Sequence, residues 1–108
     1  NDRYSAEIAR LEAEIEMYKS DPDYDPSIAD ENSSTFYDMA QSCFELANEY
    51  DAQGDTEQAE KLRAEGSSYY AYADKIGMNA VWKAQIESWE SQIDELYVQW
   101  DTELHALN

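Results

Sequence analysis

The chain has 108 residues, with 25 acidic and 7 basic side chains and a net charge of −18 at neutral pH. Such a charge repels nucleic acid and anionic membranes, and its natural complement is a cationic surface. Apolar residues make up 43% of the chain and include three Trp and nine Tyr; this excludes a disordered acidic tail, which is poor in aromatics, and no apolar run approaches the roughly 20 residues of a membrane span.

Gly and Pro are few, and Val, Ile and Thr are scarce beside Ala, Glu, Gln and Leu, a balance that predicts an all-α fold. The first helix is expected over about residues 4–19. Tyr4, Ile8, Leu11, Ile15 and Tyr18 recur at alternating steps of four and three, which is a heptad seam, and Glu7, Glu12, Glu14 and Glu16 lie off it. Residues 20–34 hold both prolines and no periodicity, so they read as a loop. Ser33, Ser34 and Thr35 offer caps for a second helix reaching about residue 53, with Asp38 three residues after Thr35 as a weak capping box. Its stripe is Phe36, Met39, Ala40, Cys43, Ala47 and Tyr50, with Phe44 and Leu46 beside it.

Gly54 suits the left-handed conformation that ends a helix, and Asp55 can cap the next, with Gln58 reaching back. So short a turn makes the two helices antiparallel neighbours. The third helix carries Ala59, Leu62, Gly66, Tyr69, Tyr70, Ala73 and Ile76; Gly77 then marks a break or kink. A fourth helix is expected over about residues 78–107. Trp82, Ile86, Trp89, Ile93, Leu96 and Trp100 form its seam, extended by Leu104 and Leu107 after a small phase shift.

The expected architecture is thus four helices. The first and last form an antiparallel coiled-coil pair, and the inner hairpin caps the end near Trp82. In the rival arrangement each seam pairs with another copy of the chain, so self-association through the heptads is an alternative. The length suits one helical domain, residues 1–108, and an opening at Asn1 inside a heptad pattern reads as a piece of a longer chain.

The hairpin over about residues 40–73 resembles a single tetratricopeptide repeat. Leu46 and Ala47 supply a Leu-small pair, Tyr50 follows, Gly54-Asp55 is the turn, Ala59 is the small residue on the second helix, and Gly66 is small where that helix packs closely. Arg63 stands where the family has an aromatic, and Ala71 where a Pro closes the repeat. The family builds its peptide groove from several stacked repeats. With one copy, the resemblance implies the hairpin geometry and a leaning toward protein–protein binding, and no ligand site.

Little in the chain points to catalysis. Asp21, Asp23 and Asp25 resemble the start of a calcium-binding loop, but Pro26 takes the place of the required Gly and Asn32 that of the bidentate Glu, so a solvated acidic turn without physiological calcium binding is expected. His105 is the only histidine, too isolated for a zinc site, and Cys43, the only cysteine, lies on an apolar stripe and forms no internal disulfide. No nucleophile triad or phosphate loop is discernible. The expectation is a non-catalytic module with no cofactor and no metal.

The acids are unevenly placed. Asp21, Asp23, Asp25, Asp30, Glu31, Asp38, Glu45, Glu49, Asp51, Asp55, Glu57 and Glu60 fall between residues 20 and 60, a stretch without Lys or Arg. The candidate partner-binding residues are Asp38, Glu45, Glu49, Asp51, Asp55 and Glu57. The expected partner is a protein with a basic surface, with no direct nucleic-acid binding and no membrane insertion. The alternative is an acidic mimic of DNA that inhibits a DNA-binding protein.

Overall fold

The first helix starts at Asp2, where the described residues begin; the computed structural model describes residues 2–106. In order the elements are α1 (Asp2–Lys19), a 3-10 turn (Pro26–Ile28), α2 (Ser33–Ala52) and α3 (Thr56–Ala106), with no strand among the described residues. The fold is all-α, but three helices replace the expected four. Leu107, expected to extend the last seam, lies outside the described residues. The chain divides into two units: one comprises the described residues through Tyr24 together with those from Val81 onward, the other Asp25–Ala80.

In the first unit the heptad seam of α1 is its buried face: Tyr4, Ile8, Leu11 and Ile15 are buried. The last turns of α3 supply buried Ile86 and half-buried Trp82, Trp89, Ile93, Leu96 and Trp100. Aromatic contacts show the direction of pairing. Tyr4 stacks on Trp100 with ring centroids 6.0 Å apart and planes 10° from parallel. At the other end of α1, Tyr18 meets Trp89 edge-on at 5.1 Å and Trp82 at 6.2 Å. The two helices are therefore antiparallel. Offset and edge-to-face rings of this kind add to the apolar burial that drives the pairing. Tyr24, just past α1, reaches Trp82 at 6.5 Å.

The second unit is built on small residues. Ala40 and Ala47 of α2, seven residues apart, and Ala59 and Ala73 of α3, fourteen apart, are essentially inaccessible. Ala47, Ala59 and Leu62 form one buried cluster with Tyr50 packed against it. Gly66 lies between Ala59 and Ala73, and a Cβ there would stand 2.9 Å from Cε1 of Phe44 and 3.1 Å from Cβ of Cys43. A hydrogen at this position thus lets α2 and the Phe44 ring lie close against α3. Toward the start of α2, Phe36 packs edge-on against Tyr72 at 4.8 Å.

The ends of these helices follow from local chemistry. Asn32, not Ser33, Ser34 or Thr35, caps α2: its Oδ1 accepts from the Ser34 N–H at 3.0 Å and the Ser34 hydroxyl at 2.7 Å. An extended backbone at Asn32 puts the short amide over the first turn. Gly54 ends α2 with φ of +85°, the left-handed conformation expected of it. Asp55 begins α3, its Oδ1 accepting from the Gln58 N–H at 3.2 Å.

Gly77 does not break the helix. Buried or half-buried positions of α3 run through 73, 76, 79, 82, 86 and 89 at steps of three and four, with no interruption at 77. A lone glycine costs a helix about 1 kcal/mol relative to Ala, less than an uninterrupted buried stripe contributes. Asn79, which follows Gly77 where a cap would stand, is instead fully buried. Its Oδ1 accepts from the Asp25 N–H at 2.6 Å and its Nδ2 donates to the Lys75 carbonyl at 2.9 Å. The amide thereby ties the segment before the 3-10 turn to α3 and satisfies its own polar atoms.

The glycines of α3 give a paired prediction. Nothing lies within 4 Å of a Cβ built at Gly77, so Gly77→Ala is expected to stabilise the protein by about 0.5–1 kcal/mol through helix propensity alone. Gly66→Ala gains the same propensity but must push Phe44 and Cys43 aside, and is expected to destabilise by about 1–3 kcal/mol. Urea unfolding of the two variants checks this; a Gly66→Ala protein more stable than wild type contradicts the close packing of α2 on α3.

Candidate partner-binding face

The six acids singled out in the sequence are all exposed, but their roles differ. Asp55 caps α3, and Glu57 sits in the first turn of that helix, 3.8 Å from Lys61; both favour the positive end of the helix dipole. Asp51, four residues after buried Ala47, lies on the side of α2 that faces α3. Arg63 of α3 forms an ion pair with its carboxylate and also donates to Asn48 at 3.2 Å. The absence of bases between residues 20 and 60 concealed this, because Arg63 lies just beyond the stretch and folds back across the hairpin.

Asp38, Glu45 and Glu49 remain as a stripe. At ~100° per residue they fall within about 40° of one line along α2, opposite buried Ala40 and Ala47, and span roughly 16 Å. Glu45 accepts from the Gln41 amide at 3.2 Å. The bases of this unit are Lys61, Arg63 and Lys75. The first two pair with Glu57 and Asp51, and the charge of Lys75 acts on Asp25. The α2 stripe is therefore left to water and to outside cations.

Asp21, Asp23 and Asp25 serve the loop. Asp21 Oδ1 accepts from the Asp23 N–H at 2.9 Å. Asp25 caps the 3-10 turn, accepting from the backbone N–H of Ser27 at 3.1 Å and from its hydroxyl. The Ser27 hydroxyl holds the Asp25 carboxyl below its ordinary value against the opposing effect of burial, helped to a lesser degree by the Ser27 backbone N–H and the Lys75 charge. Among the described residues no group of three or more His, Cys, Asp or Glu is arranged to hold a metal ion. Cys43 is half-buried, and His105 is exposed near the end of α3, with Nδ1 2.9 Å from the Asp101 carbonyl. Among the described residues no helix is long and apolar enough to cross a membrane.

Two tyrosines join carboxylates across the second unit, and sequence reasoning missed both. The Tyr72 hydroxyl donates to Glu31 Oε2 at 2.6 Å, and that of Tyr37 donates to Asp74 Oδ1. The only signal available was composition: many Tyr beside many acids. Each phenol is raised above its ordinary value, first by the hydrogen bond to the carboxylate, then by burial and by the carboxylate's charge. Next to the Tyr37–Asp74 bond lies an open groove of about 370 Å³ lined by Phe44, Ser67, Tyr70, Ala71 and Asp74. Tyr70, half exposed, meets the Tyr37 ring edge-on at 5.1 Å.

Comparison with protein-family models, curated proteins and solved structures gives no match. The resemblance of residues 40–73 to a tetratricopeptide repeat therefore rests on the residues themselves. Within that stretch Ala47, Ala59 and Gly66 are buried, whereas Leu46 of the Leu-small pair is 42% exposed.

Two outcomes are expected. Asp55→Ala removes a cap and should destabilise by about 1 kcal/mol, whereas Glu49→Ala, an exposed acid among like charges, should change stability by less than about 0.5 kcal/mol; equal losses in chemical denaturation contradict the division into capping and outward-facing acids. The second concerns alkaline pH. A phenol whose pKa is higher folded than unfolded contributes stability that is complete below the ordinary value of 10.0 and is lost as pH rises through the folded value. The melting temperature of the wild type should therefore fall more steeply above about pH 10 than that of a Tyr37→Phe, Tyr72→Phe variant; parallel curves contradict the two tyrosine–carboxylate bonds.

Proposed function

We propose that this chain is a non-catalytic protein–protein interaction module whose acidic hairpin docks a partner with a basic surface. The observation that carries this reading is the α2 stripe. Asp38, Glu45 and Glu49 are exposed on one line, while Lys61, Arg63 and Lys75 act on other acids. Exposed, unneutralised carboxylates on a rigid helix attract a cationic surface over a distance comparable to the screening length, ~8 Å at physiological ionic strength. Such a field acts chiefly on the rate of association. The resemblance of the hairpin to a protein-binding repeat points the same way.

The test compares two charge reversals of equal size against a partner recovered by crosslinking. Asp38→Lys, Glu45→Lys, Glu49→Lys should slow association at low salt about tenfold or more and flatten its salt dependence. Glu87→Lys, Asp94→Lys, Glu95→Lys, on exposed positions of α3 outside the hairpin, should have a much smaller effect. Equal slowing by both variants would mean that net charge alone acts, and the docking face would be refuted. Competition by duplex DNA for the same partner surface would favour the alternative reading, an acidic mimic of DNA.

A further inference from the structure

The stripe on α2 gives the hairpin attraction for a basic partner but no shape to recognise it. The groove beside it supplies both. Its walls are aromatic: Phe44 from α2 and Tyr70 from α3. Each ring is held by a neighbour. Phe44 lies in the notch that Gly66 leaves, where a Cβ would stand 2.9 Å from its Cε1, and Tyr70 is braced edge-on by Tyr37 at 5.1 Å. Among the described residues Asp74 is the one charged residue lining the groove. The Tyr37 hydroxyl donates to Asp74 Oδ1, which holds the carboxylate and occupies one of its two oxygens. The lining thus combines π-faces with one oriented anion and no base.

We propose that this groove is the anchor site for an arginine side chain of the basic partner, with the guanidinium pairing with Asp74 and lying against the rings of Tyr70 and Phe44. This inference rests on the reading of the hairpin as a docking face for a basic protein, and names where and by what chemistry it is recognised. Charge complementarity selects a cation: the unit's own Lys61, Arg63 and Lys75 act on Glu57, Asp51 and Asp25, so Asp74 is open to a base from outside. Shape selects arginine over lysine. A guanidinium is planar and weakly hydrated, stacks on aromatic faces and presents a fork of donors to a carboxylate, whereas an ammonium is a compact, strongly hydrated point charge. The groove, about 370 Å³, is of a size that holds one such side chain with part of its backbone. Braced walls also reduce the ordering that binding must impose.

The test uses a probe with a single charge, which the α2 stripe attracts only weakly. Acetyl-Gly-Arg-Gly-amide is titrated into the intact protein at low salt and followed by NMR. Shifts should cluster at Ser67, Tyr70, Asp74 and the Phe44 ring, with a Kd on the order of 1 mM. Acetyl-Gly-Lys-Gly-amide carries the same charge and should bind at least about threefold more weakly. Asp74→Asn keeps an acceptor for the Tyr37 hydroxyl and should weaken the arginine peptide about tenfold. Glu65→Gln changes net charge equally at an exposed residue outside the groove and should weaken it less than about twofold. Tyr70→Leu, which keeps an apolar side chain, should also weaken it severalfold. Shifts scattered over the acidic surface, equal effects of Asp74→Asn and Glu65→Gln, or equal binding of the two peptides would each overturn the proposal. If partner association nevertheless stays sensitive to reversal of Asp38, Glu45 and Glu49, the docking face survives without this anchor.

Discussion

Everything distinctive about the second unit depends on how closely α2 lies against α3. Alanines at 40, 47, 59 and 73 and the glycine at 66 are among the buried positions of the hairpin, with Leu62 in the same cluster as Ala47 and Ala59. With a hydrogen at Gly66, the Phe44 ring and the Cβ of Cys43 lie directly against α3. The large side chains are displaced to the flanks: Phe36 with Tyr69 and Tyr72, and Tyr37 and Phe44 near Tyr70. A wider contact filled by Leu or Ile would bury more apolar area, but it would remove the notch that holds Phe44. Apolar mass that an ordinary hairpin keeps in its core is here spread along two flanks.

The same contact orients the charges. With Ala40 and Ala47 against α3, helical geometry directs Asp38, Glu45 and Glu49 away from it. Asp51 is turned to where Arg63 neutralises it. Such an exposed pair is worth little to stability, about 0–1 kcal/mol, but it removes one carboxylate from the outward field. The acidic surface is accordingly selective. Asp25, Asn32 and Asp55 hold the beginnings of the turn and of α2 and α3, Glu31 and Asp74 accept from tyrosines, and the carboxylates of the α2 stripe are left to act at a distance.

Much of this was legible from residue order. The heptad seams of α1 and of the end of α3 were visible as periodicity, and Tyr4 with Trp100 and Tyr18 with Trp89 meet where an antiparallel pairing requires. Gly54 and Asp55 marked the hairpin turn because both act within a few residues of themselves. The departures share another character: they depend on competition between local and distant terms. Gly77 reads as a break by propensity, but the buried stripe passes through it. Asn79 is polar yet buried, and its place three residues after Ile76 on that stripe is the signal in the sequence for this. Ser33, Ser34 and Thr35 are all capable caps, and Asn32 outcompetes them. The Arg63–Asp51 and Tyr37–Asp74 pairs join residues far apart in the chain, and no pattern of spacing announces such a contact.

The closeness of α2 to α3 at Gly66 underlies both the notch that holds Phe44 and the groove beside it. The most direct measurement is a nuclear Overhauser experiment on the wild-type protein, read between the Phe44 ring protons and the Gly66 α-protons. A Cβ–Cε1 separation of 2.9 Å for a built side chain implies that these protons are in van der Waals contact, so strong cross-peaks are expected, together with peaks between the rings of Tyr37 and Tyr70. Their absence in a protein that is otherwise folded and helical would mean that the helices stand apart, and that neither the notch nor the groove beside it exists.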